Sequence, residues 1–256
     1  MNNTKPCMKI TLTDTKPSIF ESKVGGIGYI PHDKDFPTDS NGNQLRLLAQ
    51  IECEKIQLDG FMKTGLLQFW ILNNDTSCMY GWRTTNQDGF RVIYYPEIDK
   101  TVTQDEIESK FVKNEYDNNE YYDFPVFRGG MSPVFCECGM SFEKSENQYV
   151  DRWSILTNEE HDEITGHKVG GYPYLINNDP RSEMKNGAYY DFLLFQLYSD
   201  YNFSLNRYAN RNRYLKTINR LKGMYNKVYL LGNFFINSEK LKQCDFSDVL
   251  YNWDCC

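Results

Sequence analysis

Cysteine is the residue type in this sequence that could support the widest range of chemistry. The 256-residue chain contains eight cysteines, and its two close pairs are Cys136 with Cys138 and Cys255 with Cys256. Structural zinc sites usually use cysteine pairs separated by about two to four residues, often with histidine, and neither pair has that spacing. The spacings also form no disulfide framework of a small secreted domain. We therefore expect reduced, mostly buried thiols, with no metal site and no disulfide.

A nucleophile with an adjacent general base is difficult to assemble from the other candidates. The histidines are His32, His161 and His167, and no Gly-x-Ser-x-Gly or Cys-His signature accompanies them. A reactive thiol at Cys136 or Cys138 is the alternative to a structural one. We predict no catalytic residue and no cofactor, and we favour a protein that is not an enzyme.

Residues 201–227 concentrate positive charge. The segment sums to +7 without a single acid, whereas the whole chain sums to −7, so the other residues sum to −7 − 7 = −14. Unpaired buried cations would each cost several kcal/mol, so the segment predicts a surface insertion between two strands. Its cations are Arg207, Arg211, Arg213, Lys216, Arg220, Lys222 and Lys227.

Several partners fit this basic segment. Tyrosines interleaved with cations are typical of single-stranded nucleic-acid binding, but the acidic remainder of the chain would repel a polyanion outside a small footprint. An acidic protein is therefore the favoured external partner, and nucleic acid is disfavoured. The segment could instead form a solvated helix face. It could also pair internally with residues 97–123, which hold nine acids against three bases.

A short motif occurs twice in the chain. Lys-Val-Gly-Gly appears at 23–26 and again at 168–171, and each copy is followed by a matching apolar run, LRLLAQIE and DFLLFQLY. We interpret the recurrence as an internal duplication. The glycine pairs Gly25-Gly26 and Gly170-Gly171, with Pro173 after the second, are predicted to be structural turns. An anion-binding nest is less favoured, because neither copy supplies a P-loop Lys-Ser/Thr.

Two glutamines lie within these apolar runs. Gln50 belongs to the first run and Gln196 to the second. A buried amide must be hydrogen-bonded, so each glutamine either satisfies the backbone of a nearby turn or lines a cleft between the repeats. We favour the structural role and keep the pair as candidate binding residues.

A β-rich α+β fold is the architecture that these patterns predict. A capping box at Thr103 indicates a helix, and Ser238 is a candidate cap for a short second one. We expect a single domain over 1–256, with half-repeats of mainly antiparallel strands at 23–100 and 168–256. A helical or irregular segment, 101–167, should join them, and short helices should lie at the periphery. The predicted strands are Leu45–Glu52, Gly65–Leu72, Gly89–Tyr95, Phe192–Tyr198 and Val228–Ile236.

Five stretches of the chain, in order, resemble the YwqG-like proteins, a bacterial domain family of unknown function. They are GLLQFWI, GFRVIYYPEI, KVGGYPYLINNDPR, LLFQLYSD and GNFFINSEKLKQCDFSDVLYNWDCC. The resemblance extends from about Lys23 to Cys256. It implies an α+β fold and brings neither an activity nor catalytic residues.

The function that the sequence favours is macromolecular binding. No run of about 18 apolar residues occurs, and the N-terminal stretch lacks the apolar region of a signal peptide, so we expect a cytoplasmic protein that does not enter a membrane. Our hypothesis is a non-enzymatic interaction protein, one that could neutralise another protein. The alternative is an enzyme or small-ligand binder that uses a cleft between the half-repeats. The sequence does not indicate an oligomeric state.

Overall fold

The computed structural model describes residues 4–13, 15–72, 84–112, 137–149, 165–198 and 231–254. Within these ranges the chain forms ten strands, two short α-helices and three short 3-10 helices. The strands are β1 (Thr4–Thr13), β2 (Lys23–Val24), β3 (Leu45–Glu52), β4 (Leu66–Leu72), β5 (Phe90–Tyr95), β6 (Cys138–Gln148), β7 (His167–Gly170), β8 (Phe192–Tyr198), β9 (Leu231–Ile236) and β10 (Val249–Asp254). The helices are α1 (Gln104–Ser109) and α2 (Ser238–Lys242), and the 3-10 helices are Cys53–Lys55, Pro180–Glu183 and Gly187–Tyr189.

All ten strands belong to one antiparallel sheet. Their order is β10-β9-β8-β7-β1-β6-β2-β3-β4-β5. The central pair, β1 and β6, stays in register from Thr4 opposite Gln148 to Thr13 opposite Gly139. Strands β2–β5 extend the sheet on one side of this pair, and β7–β10 extend it on the other.

The prediction of an α+β fold built by internal duplication is wrong. The structure is mostly antiparallel β, and α1 and α2 span only six and five residues. The strands of both predicted half-repeats join a single sheet, with β1 and β6 between them. β1 precedes the first predicted repeat, and β6 lies in the segment 101–167 that was expected to be helical or irregular. The recurring motifs therefore mark similar local contacts along one sheet.

The sheet curls around one apolar core until its two ends approach each other. Phe69 of β4 stacks on Phe195 of β8 with ring centroids 4.7 Å apart and lies 4.8 Å from Phe234 of β9. Backbone hydrogen bonds of 2.9 and 3.1 Å join Thr84, ahead of β5, to Tyr251 of β10. The result is a nearly closed, barrel-like sheet whose inner face is filled by side chains.

The outer face of the sheet carries two smaller apolar clusters. One covers β3–β5, where Trp70 and Leu72 pack with Ile107 of α1. The other joins Tyr190, Leu193, Phe235 and Leu250 over β8–β10. None of the described helices has the length and apolarity that a membrane crossing requires.

The local predictions agree with the structure more closely than the fold class does. β3 and β8 have their predicted bounds, and β4 and β5 each begin one residue after the predicted start. The described part of β9 starts at Leu231. The side chain of Thr103 caps α1. Asn237, one residue before the predicted Ser238, caps α2.

Candidate functional site

Gln50 and Gln196 both lie on the outer face of the sheet. Strand neighbours alternate between faces, and the neighbours Ala49, Ile51, Phe195 and Leu197 all belong to the inner core. Both glutamines have no exposed surface. The packed apolar core lies between them, so they do not line a common cleft.

Gln50 fastens two loops to the sheet. Its Oε1 accepts hydrogen bonds from the backbone N–H of Tyr29 at 2.9 Å and from Nε2 of Gln68 at 2.8 Å. Its Nε2 donates to the carbonyls of Ile19 and Glu21, both at 2.9 Å. All hydrogen-bonding capacity of this buried amide is used, as expected for a structural amide.

Gln196 makes the corresponding contacts on the other side of the sheet. Its Oε1 accepts from the backbone N–H of Tyr174 at 2.8 Å, and its Nε2 donates to the carbonyl of Gly166 at 2.8 Å. Asn233, beside it on β9, donates from Nδ2 to the carbonyl of Tyr174 at 3.3 Å. The loop that holds Pro173 is therefore attached to the sheet by side-chain amides.

The four predicted turn glycines all have a left-handed backbone. Their φ angles are 62° and 67° at Gly25 and Gly26, and 74° and 73° at Gly170 and Gly171. A Cβ on Gly26 would collide with the carboxylate of Glu137, and one on Gly171 would collide with the carboxamide of Asn147. Glycine is required at these positions for the backbone conformation. At Gly26 and Gly171 it also leaves room for a side chain, that of Glu137 just before β6 or that of Asn147 in β6.

A lysine precedes each glycine pair, and both lysines are buried. Lys23 is 1 % exposed, and its ammonium donates to Glu137 at 2.6 Å and to the carbonyls of Ile27 and Pro17 at 3.0 and 3.3 Å. Desolvation lowers the pKa of Lys23, while the hydrogen bond and charge of Glu137 oppose that shift. This lysine is held by an ion pair within the protein.

Lys168 has a different electrostatic environment. It is 2 % exposed, and burial lowers the pKa of its ammonium to about 7, with Lys9 lowering it further and Cys7 opposing the change. Burial in turn raises the pKa of the Cys7 thiol, so this thiol is a weak nucleophile at neutral pH.

Lys168 belongs to a polar row that crosses five strands in register. Lys9 pairs with Lys168, Lys168 with Gln196, Gln196 with Asn233, and Asn233 with Asn252. Of these residues, all but Lys9 are buried. We call this set the polar row; it is the candidate functional site, and it combines two lysines with three carboxamides. Only Gln196 was singled out in the sequence, although the Lys168 of the repeated Lys-Val-Gly-Gly motif was a possible signal.

The other candidate residues do not belong to the polar row. The basic residues Arg207, Arg211, Arg213, Lys216 and Arg220 are outside the described residues, as are Cys78, Cys136, Cys255, Cys256 and His161. Cys7, Cys53, Cys138 and Cys244 are free thiols, and only Cys244 is exposed. Within the described ranges, no group of three or more histidine, cysteine or acidic residues is arranged to hold a metal ion.

The two remaining histidines make local contacts. Nδ1 of His32 lies 2.8 Å from Glu106, and its Nε2 lies 3.0 Å from the Thr101 hydroxyl. The contact with Glu106 joins the loop of His32 to α1. Nδ1 of His167 accepts from the backbone N–H of Tyr198 at 3.1 Å. Neither contact pairs a histidine with a cysteine or serine nucleophile.

Comparison with known proteins identifies a family without an assigned activity. No curated protein matches the sequence. Residues 22–255 match the family model described as Domain of unknown function (DUF1963). Because this match spans most of the chain, the protein belongs to the DUF1963 family.

Proposed function

We propose that this protein is a non-enzymatic, cytoplasmic binding protein whose partner is an acidic protein, and that binding neutralises that partner. One observation carries the proposal: residues 201–227 hold a charge of +7 without an acid in a chain whose net charge is −7. We also propose that the chain is one of the YwqG-like proteins, which its sequence resembles and which have no established activity.

The pairing of β8 with β9 supports the view that the sheet does not need this segment. Tyr198, the last residue of β8, pairs with Leu231, the first of β9. Two residues that lie opposite each other in the sheet are thus separated by 32 residues, 199–230, along the chain. β3 and β4 pair in the same way at Glu52 and Leu66 but are separated by only 13 residues. The longer connection therefore holds 32 − 13 = 19 residues more than that shorter one.

The alternative, an enzyme or ligand binder with a cleft between the half-repeats, has less support. Gln50 and Gln196 face outward on opposite sides of a core in which Phe69 and Phe195 stack at 4.7 Å. The surroundings of both glutamines are protein backbone and other amides rather than a shared opening.

Binding of a model polyanion tests the proposal. Fluorescently labelled poly-L-glutamate is titrated with the protein and followed by anisotropy at low and at high salt. We expect saturable binding that weakens steeply with salt, because exposed charges are screened within about 10 Å at 0.1 M ionic strength. The triple variant Arg211→Ala, Arg213→Ala and Arg220→Ala should lose at least about tenfold in affinity, or about 1.4 kcal/mol.

A matched triple variant controls for net charge. Lys55, Lys144 and Lys185 are exposed, and replacing all three with Ala removes the same charge from elsewhere on the protein. This control should bind as the wild type does. Equal binding by the two triple variants, or tighter binding of single-stranded DNA than of poly-L-glutamate, would contradict the proposal. If the arginine variant instead melts several degrees below the wild type, the segment pairs internally and the proposal loses its support.

A further inference from the structure

Strand β6 has one edge that is largely unpaired. On one side, all ten residues of β1 pair with β6. On the other side, its neighbour β2 has only two residues, and they pair with Gly139 and Cys138. Within the described ranges, no strand pairs with the rest of that edge, from Met140 to Gln148. The sheet therefore lacks a neighbouring strand along most of β6.

Alternate residues of β6 point their backbone N–H and C=O groups toward this open edge. The N–H of Gly139 donates to the carbonyl of Thr15, just after β1, at 3.2 Å, so Gly139 faces β1. Because successive residues of a strand direct their backbone groups to opposite sides, the even-numbered residues face the open edge. They are Met140, Phe142, Lys144, Glu146 and Gln148. Such an edge is a template for pairing with a further strand.

The side chains of these five residues lie on the face of the sheet that holds the core. Met140 and Phe142 are partly buried against the inner core. Lys144 and Glu146 lie further along the same face and are exposed. Glu146 also accepts a hydrogen bond from the Thr4 hydroxyl at 3.0 Å. Because the lysine and the glutamate have opposite charges and lie two residues apart, they can match the same two residues on a strand that runs in the opposite direction.

A second copy of β6 complements this edge when the two antiparallel strands are centred on Ser145. In that register Lys144 lies opposite Glu146 of the partner subunit, and the symmetry repeats this contact. Registers centred on Glu143, Lys144 or Glu146 would instead place that residue opposite its own copy, with like charges in contact. A register centred on Phe142 overlaps the positions that β2 already occupies. The charges and the length of the open edge therefore select the register centred on Ser145.

We propose that the protein forms a symmetric dimer in which the two copies of β6 pair edge to edge, centred on Ser145. The edge-facing residues from Phe142 to Gln148 then lie opposite one another, and each pair exchanges two backbone hydrogen bonds, which gives about eight across the interface. Tyr149, which follows β6 and is 63 % exposed, lies opposite Ser141 of the partner subunit at each end. A two-fold dimer is also the commonest closed assembly of identical chains.

Charge-reversal variants test the pairing through the oligomeric state, measured by sedimentation velocity over a wide range of protein concentrations. The wild type should dimerise as its concentration rises. Lys144→Glu and Glu146→Lys should each weaken the dimer by about tenfold or more, because each places like charges opposite each other at two positions. The variant with both changes restores opposite charges and should dimerise as the wild type does. Lys185→Glu, at an exposed position outside the strands, is the control that should stay dimeric.

A cysteine at the two-fold axis tests the register itself. The odd-numbered residues form non-hydrogen-bonded pairs across the interface, with Cα atoms about 4.5 Å apart, a distance that a disulfide can span. Cys7 lies opposite Ser145 on β1, so it is replaced by alanine to prevent a bridge within one chain. On a non-reducing gel, Cys7→Ala with Ser145→Cys should become a covalent dimer in oxidised glutathione. Cys7→Ala with Ser141→Cys, on the same face of β6, should not.

Four results would overturn the dimer. They are a wild type that is monomeric at every concentration, folded single reversals that dimerise as tightly as the wild type, a double reversal that stays monomeric, and equal cross-linking of the two cysteine variants. In the first case Lys144 and Glu146 protect the edge against pairing, as inward-facing charges on edge strands do. None of these measurements depends on poly-L-glutamate binding, so the dimer and the proposed function can fail separately.

Discussion

The buried ammonium of Lys168 should make the stability of the protein rise with pH in a range where most proteins change little. The folded pKa of Lys168 is about 7, against an ordinary value of 10.5. Between these two values the unfolded chain binds the proton and the folded protein does not. Because stability rises with pH wherever the unfolded state binds more protons, the free energy of unfolding should increase across this window. Below about pH 7 both states are protonated, and the full cost of burying the charge remains.

The size of the effect follows from the two pKa values. For one group with a folded pKa of about 7, raising the pH from about 7 to about 8.5 stabilises the folded state by about 1.6 kcal/mol. The pH range ends below the ordinary pKa of a thiol, because burial raises the folded pKa values of Cys7 and Cys53. Above the pKa of an unfolded thiol, the unfolded chain releases the proton that the folded protein keeps. The free energy of unfolding then falls as pH rises, which would oppose the effect of the lysine.

The assay compares urea unfolding of the wild type and Lys168→Met across this range. The methionine keeps an unbranched side chain of similar length and removes the titration, so its free energy of unfolding should stay flat relative to the wild type. Lys185→Met, at an exposed position, should retain the wild-type slope. If the free energies of unfolding of the wild type and Lys168→Met change in parallel with pH, the reasoning is refuted, because Lys168 would then stay charged over the whole range.

The remaining three predictions also concern buried polar groups. Tyr251→Phe should raise the free energy of unfolding by about 1 kcal/mol, because the Tyr251 hydroxyl is buried without a partner. Tyr190→Phe should lower it by about 1.5 kcal/mol, since that hydroxyl donates to Asp248 at 2.8 Å; chemical denaturation measures both, and a destabilised Tyr251→Phe would mean that its hydroxyl is bonded. Glu137→Ala should cost about 3 kcal/mol by leaving the Lys23 ammonium buried without its carboxylate. Adding Lys23→Met should recover most of that loss, and a double variant as unstable as Glu137→Ala alone would contradict the ion-pair argument.

Burial on both faces made β3 and β4 easy to predict from the sequence. Every residue of β4 is buried, and so is every residue of β3 but the last, so both appear as nearly continuous apolar runs. The central strands are less buried: β1 alternates apolar and polar residues, and every residue of β6 after Gly139 except Asn147 is partly or fully exposed. Their charged and hydroxyl residues dilute the pattern, and their pairing joins residues more than a hundred positions apart. Missing these two strands led directly to the mistaken half-repeat architecture.

The buried lysines could not have been predicted from composition. Lysine is almost never fully buried unless it is paired, and Lys23 finds its carboxylate 114 residues later, at Glu137. No pattern in the sequence near Lys23 indicates that contact. The contacts of the buried glutamines could be predicted more easily, because an amide inside an apolar run needs a hydrogen-bond partner nearby if it is buried.

The two sides of the sheet differ in how their outer amides are satisfied. Gln50 and Gln68 bond to each other and to backbone groups, and the indole of Trp70 supplies the last donor. On the other side, Asn233 lacks such a donor. A fold that needed these amides only to attach its loops would gain stability from the satisfied arrangement on both sides. On the Asn233 side the unsatisfied oxygen lowers the stability of the folded protein by about 1–3 kcal/mol. An Asn233→Gln and Phe235→Trp variant tests this directly, because a free energy of unfolding no higher than that of the wild type would mean that the Oδ1 of Asn233 is already satisfied.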